Sequence, residues 1–393
     1  LLVMVALLLV FGLSMLYSTT YTAFAQRILS RQLTWVAIGA IGAVVLWRFD
    51  YRFLGRWSWV GVVGVAAGLA YLVLAYALHK LPFVPDTVVA KMPFITGPTK
   101  GSFRWLRFAG MSLQPSEFAK PVLILYLADY FSRHARHVHD FRRGFLKPML
   151  VAGVVLALIF LGKDFSTTVI TGTVVGVLAF VAGVRLRYLA LLGVAGLLFI
   201  GIVLKVYPER MRRFTVYRDP EAHAQGEGYQ LWSSQLALGS GGTRGLGFTN
   251  SRMKQLYLPE AHTDFIVAIV GEELGFAAVA ALILAYCLLV FATFWVAGLS
   301  ADRLGTLLCV GLGLSLGLHA FVNISVVSGF CPTTGVTAPF LSYGGSSMLT
   351  SLLGIGLVLS VSRLSENEAA ERELASGGLV RRQGPDEDEL MFR

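Results

Sequence analysis

FIVAIVGEELGFAAVAALILAYCLLVFATFWV, residues 265–296, is a run of apolar positions well beyond twenty residues, interrupted only near its start by Glu272 and Glu273. About 20 largely apolar helical residues suffice to cross a bilayer core. Similar blocks recur at 1–17, 33–47, 60–78, 114–130, 149–162, 167–184, 189–206, 305–327 and 343–361. With the quoted stretch they make about ten spans. In lipid every backbone polar group needs an internal partner, so only helices and closed barrels cross. Continuous apolar runs lack the alternation of a barrel strand. The expected fold is therefore all-α, a polytopic membrane protein with a large extracytoplasmic loop between helices 7 and 8.

Composition agrees. Of 393 residues, 55% are hydrophobic and 14% charged, and the mean hydropathy is +0.68. The first block has no basic flank and no small-residue cleavage site, which argues against a signal peptide. With no initiating Met, the expectation is a trimmed cytoplasmic tail. Cys287, Cys309 and Cys331 offer no disulfide framework, and no fixed-period repeat is visible.

Two regions are expected: a transmembrane domain over 1–363 and a polar, acidic, disordered cytoplasmic tail over 364–393. The tail holds eight acidic and four basic residues; removing its −4 from the chain's +10 leaves +14 on the membrane portion. That balance suits anionic lipid or phosphate partners, and no nucleic-acid partner is expected. With cytoplasmic termini, short inner loops carry Arg48, Arg52, Arg56, Arg133, Arg136, Arg142, Arg143, Lys147, Arg185, Arg187 and Arg303, as the positive-inside rule requires. Two long outer loops, 79–112 and 207–263, are also basic. Their cations, including Lys80, Lys91, Lys100, Arg104 and Arg107, are candidate anion ligands.

Ionisable groups inside the spans carry the next clue, because they are costly there and usually meet a cavity or a partner. On QPSEFAKPVLILYLADY, residues 114–130, Glu117 and Lys120 share one helical face. A structural ion pair and a binding role stay equally open. Pro115 marks a helix start, with Gln114 or Ser112 as candidate cap, and its N-terminus would suit a phosphate. Trp105, between Arg104 and Arg107, reads first as an interfacial tryptophan and second as a ligand-stacking ring. The glycine-rich 236–264 stretch fits neither phosphate-loop pattern: Arg244 stands where the dinucleotide motif needs Gly, and Phe248 where the other needs Lys.

PEAHTDFIVAIVGEELGF, residues 259–276, leads into the eighth span with Asp264 expected in its first turn, facing the outer loop. Such an Asp is either a helix-dipole residue or a reactive group. Glu272 lies eight residues on, about 12 Å deeper, with Glu273 directed to the other side. Glu272 and Glu273 are read as a structural polar network, one of them needing an interhelical partner. His262 suits a base by its ordinary pKa, although its loop position favours a supporting role. No His, Cys, Asp or Glu set has zinc-like spacing, so no metal site is expected. Mg²⁺ or Mn²⁺ could arrive only with substrate phosphates.

RW at 104–105, QPSEFAK at 114–120, GYQLWSSQLALGSGGTRGLG at 228–247, LPEAHTDFIVAIVGEELG at 258–275 and PTTGVTAPFLSYGGSS at 332–347 together resemble the SEDS family (FtsW, RodA and SpoVE). The resemblance covers nearly the whole chain before the tail. It implies a peptidoglycan glycosyltransferase of the bacterial cytoplasmic membrane, active on the extracytoplasmic face. The substrate implied is lipid II, elongated as undecaprenyl-pyrophosphate-linked glycan. The implied partners are a class B penicillin-binding protein and other divisome or elongasome membrane proteins. Asp264 matches the essential aspartate. Arg48, Gln114, Glu117, Lys120, Ser342 and Tyr343 match positions of the polar cavity, and Asp164, within GKDFS, matches only one residue of its motif and is read as structural. Thr334 leans toward elongation-type members, whereas 226–242 and 257–275 lean toward the division type, FtsW.

In the expected reaction Asp264 takes a proton from a sugar hydroxyl in an inverting transfer. Lys120, Arg104, Arg107, Arg252 and Lys254 are the candidate ligands of the leaving diphosphate. A flippase for the same lipid precursor is the alternative from another class, and a non-catalytic scaffold is a third.

Overall fold

Each of the ten apolar blocks is helical in a computed structural model of the chain, which describes residues 1–19, 23–81, 92–97, 102–108, 110–226, 228–255 and 258–382. Lys91 and Lys100 lie outside the described residues. These blocks form α1 (Leu2–Thr19), α2 (Ala23–Arg48), α4 (Ser58–Lys80), α5 (Pro115–Arg133), α6 (Lys147–Leu161), α7 (Phe165–Val181), α8 (Leu186–Val206), α11 (Ile266–Leu299), α12 (Arg303–Val327) and α13 (Gly345–Arg382). Short helices fill the connections: α3 (Tyr51–Arg56), α9 (Pro208–Arg218) and α10 (Tyr229–Gly241). Among the described residues eight helices are long and apolar enough to cross a membrane. The two others are α7, with 17 residues, and α5, whose 19 residues include Glu117, Lys120, Asp129 and Arg133. The chain is a multi-pass membrane protein.

Short polar residues set the helix starts by accepting otherwise unpaired N–H groups. Asp50 accepts from the Arg52 amide at the head of α3, Asp164 from Thr167 at α7, and Asp302 from Gly305 at α12. At α5 the expected side-chain cap is absent: Gln114 is the capping residue by position and its amide turns elsewhere. The loop before α5 contains a hairpin that the all-α expectation did not include, β1 (Leu106–Phe108) paired antiparallel with β2 (Met111–Leu113).

Two buried clusters form the core. One centres on α5, α6, α7 and the N-terminal half of α12; the other on α1, α11, the C-terminal half of α12 and residues 338–355. By contrast α8 turns Leu191, Val194, Leu197 and Ile202 outward, the surface of a helix facing lipid tails. Residues 364–382 of the polar tail continue α13 as helix. The tail's first turns are tied down where Arg52 bridges Asp302 and Glu368, both at 2.6 Å. Residues 383–393 lie outside the described residues.

The quoted stretch is a helix with a break. Gly275 has φ 78° and ψ −177° inside α11, a conformation that L side chains rarely adopt. The break frees backbone groups about 9–14 Å below the start of α11, and the glycine-rich loop after α10 takes them up. Leu246 and Gly247 donate to the carbonyls of Glu272 and Glu273, while Phe276 donates to the carbonyl of Gly242. Irregular backbone at membrane depth is tolerated where protein satisfies it in this way.

Candidate functional site

Asp264 lies in the turn at 261–265, two residues ahead of α11, rather than in its first helical turn. It is half-buried. Its backbone is fixed from α12: the Asn323 amide nitrogen donates to the Asp264 carbonyl at 2.8 Å and to the Val336 carbonyl at 2.7 Å. Asn323 is 1% exposed. One amide group thus clamps the acidic turn against the extended 332–338 segment. Gly335 sits at the contact with φ 72°, and a Cβ there would stand 3.4 Å from Asp264 Oδ2.

The turn after this segment closes a second wall. Tyr343 N–H donates to the His262 carbonyl at 2.9 Å, and the two rings lie 5.8 Å apart. The His262 imidazole has its pKa lowered by burial, with Glu260 opposing the shift; it favours the neutral ring. Ser342, expected to bind substrate, is 3% exposed. Its hydroxyl accepts from the Ala338 amide, and its carbonyl accepts from the Gln32 side chain. Ser342 therefore shapes the turn.

A polar layer joins α5, α7 and α13. Asp164 accepts from the Gln114 side chain at 3.0 Å and from the Ser116 hydroxyl at 2.9 Å, while the Gln114 backbone N–H donates to Ser346 Oγ at 2.9 Å. Farther along α5, Lys120 Nζ lies 2.8 Å from Glu117 Oε2 and 2.9 Å from His319 Nε2. His319 Nδ1 faces the Ser315 carbonyl at 2.7 Å. A carbonyl can only accept, so Nδ1 carries the proton and Nε2 receives the ammonium hydrogen. Lys120 is thereby held between an acid and an imidazole, beside a cavity also lined by Ser315, Ser347 and Thr350.

Glu272 and Glu273 both serve one loop, rather than opposite sides of the helix. Glu272 accepts from the Ser251 hydroxyl and from the amides of Arg252 and Met253. Glu273 accepts from Ser18 of α1, from the Thr249 and Ser251 amides, and from Lys254 Nζ at 2.8 Å. Lys254, a candidate diphosphate ligand by sequence, is consumed in this clasp. Arg252 stays exposed beside it. Arg107 is exposed on the hairpin, and the Trp105 carbonyl accepts from Thr96. Arg48 is not brought to the site: it ends α2 at the opposite face of the bundle, where its carbonyl accepts from Arg363. Among the described residues no three His, Cys, Asp or Glu side chains converge to hold a metal ion.

This arrangement has a known counterpart. The model of the cell cycle protein family FTSW_RODA_SPOVE matches residues 1–367. The chain belongs to the FtsW/RodA/SpoVE family. It is 37% identical over 367 residues to a protein of Geobacter sp. (strain M18) named "Probable peptidoglycan glycosyltransferase FtsW", covering 92% of this chain and 95% of that one. It is 35% identical over 373 residues to the "Stage V sporulation protein E" of Bacillus subtilis (strain 168), covering 93% and 96%. Among solved structures, a chain from "Structural coordination of polymerization and crosslinking by a peptidoglycan synthase complex" superposes with a TM-score of 0.73 at 25% identity, over 93% of this chain and 97% of that one. The RodA of Thermus thermophilus shares the fold, with a TM-score of 0.66 at 24% identity over 92% and 95%.

Two polar residues that this FtsW/RodA/SpoVE chain uses at its centre escaped the sequence reading, His319 and Asn323. With Ser315 they recur every four residues along an otherwise apolar span, and that spacing lines one helical face. It was the available signal.

Proposed function

We infer that this chain is a peptidoglycan glycosyltransferase that joins lipid II units into β-1,4 glycan strands. Membership of a family whose relatives carry that name supports the reaction. The observation that carries the residue assignment is Asp264, half-buried in the turn ahead of α11, its main chain clamped by Asn323 and its carboxylate 3.4 Å from where a side chain at Gly335 would begin.

On this reading the Asp264 carboxylate takes the proton from the 4-hydroxyl of the acceptor sugar as that oxygen bonds to the donor's anomeric carbon. The bond from that carbon to the α-linked diphosphate breaks, and the polyprenyl diphosphate departs with the bonding pair. Attack from the opposite face gives a β product. One base suffices for inversion, by analogy with inverting hydrolysis, and its contribution is on the order of 10²- to 10⁴-fold. The half-buried carboxylate returns its proton to solvent. Asp264 alone does not make a resident metal site, so Mg²⁺ or Mn²⁺ belongs to the substrate diphosphate.

The catalytic mouth is assigned to the extracytoplasmic face of the cytoplasmic membrane, and a class B penicillin-binding protein is the partner implied. The FtsW names among the relatives support a division role. The flippase alternative draws on Glu117, Lys120 and His319 at membrane depth, but these are closed on one another. Purified Asp264→Asn should keep the parent's melting temperature and make no glycan from lipid II with its partner. Polymerisation at near the parental rate would refute the assignment.

A further inference from the structure

Three guanidinium groups meet at the outer surface near the Asp264 turn; Arg104 is a diphosphate candidate by sequence, whereas Arg210 and Arg213 of α9 belong only to the basic 207–263 loop and are not singled out there. Arg210 is half-buried, with its guanidinium 4.6 Å from the centre of the Phe165 ring. Among the described residues its guanidinium makes no hydrogen bond or ion pair. Arg213, one helical turn on, is exposed and donates to the Thr333 carbonyl at 3.1 Å. Arg104 donates through Nη2 to the Lys163 carbonyl at 2.6 Å, while its Nε is buried with no partner. Arg213 and Arg104 lie close enough to depress the Arg210 pKa, after burial itself, and Asp164 is the carboxylate that offsets them. Asp164 is already engaged by Gln114, Ser116 and Thr167. The cluster therefore carries three positive charges against one committed negative charge.

Its position ties it to Asp264. Thr333, which Arg213 holds, precedes Gly335 by two residues, and the Thr334 carbonyl between them accepts from Ser166 at 2.8 Å, next to Phe165. Two residues of extended chain span roughly 7 Å. A diphosphate attached to a sugar whose anomeric carbon is under attack near Asp264 falls at that range. Guanidinium forks are matched to phosphate oxygens and bind them bidentately.

We propose that Arg104, Arg210 and Arg213 form the seat for the diphosphate of a polyprenyl-linked glycosyl donor. The proposal rests on the polymerase reading above and names the groups that bind the departing anion. Stacking on Phe165 holds the Arg210 plane while leaving its edge N–H groups for phosphate. The partnerless Arg104 Nε supplies a further donor once the anion is present.

The test uses the full chain in detergent and titrates three probes: a polyprenyl diphosphate, the matching polyprenyl monophosphate and inorganic diphosphate. Arg210→Ala and Arg213→Ala should each weaken polyprenyl diphosphate at least tenfold and the monophosphate much less, with Arg210→Lys intermediate. Inorganic diphosphate should compete with the lipid diphosphate in the parent and compete less in Arg210→Ala. The control is Arg187→Ala, an exposed arginine bonded to the Tyr188 hydroxyl, which should change nothing. Parental affinity in both Arg210→Ala and Arg213→Ala overturns the seat. Polymerisation of lipid II is read in parallel: a parent that makes glycan while both variants bind normally removes the seat and keeps the polymerase. A parent that makes no glycan while the variants lose diphosphate binding does the reverse.

Discussion

Replacing Lys254 by Met isolates the clasp between the glycine-rich loop and α11. The ammonium lies 2.8 Å from Glu273 Oε1, 2.6 Å from the Thr249 carbonyl and 3.1 Å from Ser18 Oγ. Its side chain is 6% exposed and that of Glu273 0%. Met has nearly the same length and fills the space, so packing changes little while a buried carboxylate loses its counter-ion. Breaking such a pair from one side costs about 3–5 kcal/mol. Glu273 keeps the Ser18 hydroxyl and two backbone N–H donors, which favours the lower end. At about 2.1 cal/mol/K of unfolding entropy per residue, a chain of 393 residues converts this cost into a fall of roughly 4–6 °C in melting temperature. Thermal unfolding of the purified protein in detergent measures it. Because the pair is shielded, the fall should persist at high salt, where surface ion pairs fade. Lys254→Met with Glu273→Gln removes the stranded charge and should recover most of the loss. A single variant that melts with the parent, or a double variant no better than the single, would refute this account of the clasp.

Gly335→Ala adds a methyl group 3.4 Å from Asp264 Oδ2 on a residue with φ 72°; the backbone strain is about 1–2 kcal/mol, so the melting temperature should fall by only roughly 1–2 °C, while glycan synthesis falls at least tenfold. His262 has a depressed folded pKa, so below its unfolded value of about 6.5 the unfolded chain binds the extra proton and stability declines as the pH drops. Melting temperatures from pH 7.5 to 5.5 should show that decline in the parent and a flatter profile in His262→Gln.

The spanning helices were legible because hydropathy needs no tertiary knowledge: a run such as 265–296 has one stable solution in lipid. Asp264 was singled out by its polar lead-in and by five stretches in register with a family, and His262, Ser342 and Tyr343 with it. Other side chains around it were not. Asn323 and His319 gain their roles only when α12 packs between the acidic turn and α5, and Arg210 only when α9 folds back toward Phe165. Glu272 and Glu273 were read with an ideal helical wheel, whereas the break at Gly275 brings a loop to both. Lys254 looked like an anion ligand because its charge was visible and its partner, nineteen positions along, was not. Arg48 ends α2 beside Arg363, at the far end of that helix from the Gln32 contact with the Ser342 turn, a placement that only the packing of α2 shows.

The Asn323 side chain grips two walls with a single nitrogen, and this limits how the mouth can move. Neither the turn at 261–265 nor the extended segment can retreat alone without stranding a hydrogen at the heart of the protein. Dilation to admit a bulky lipid-linked sugar must carry both walls together, with α12 leaning as one lever. Any neighbour that pushes on the exposed flank of that helix would then set the aperture of the whole entrance.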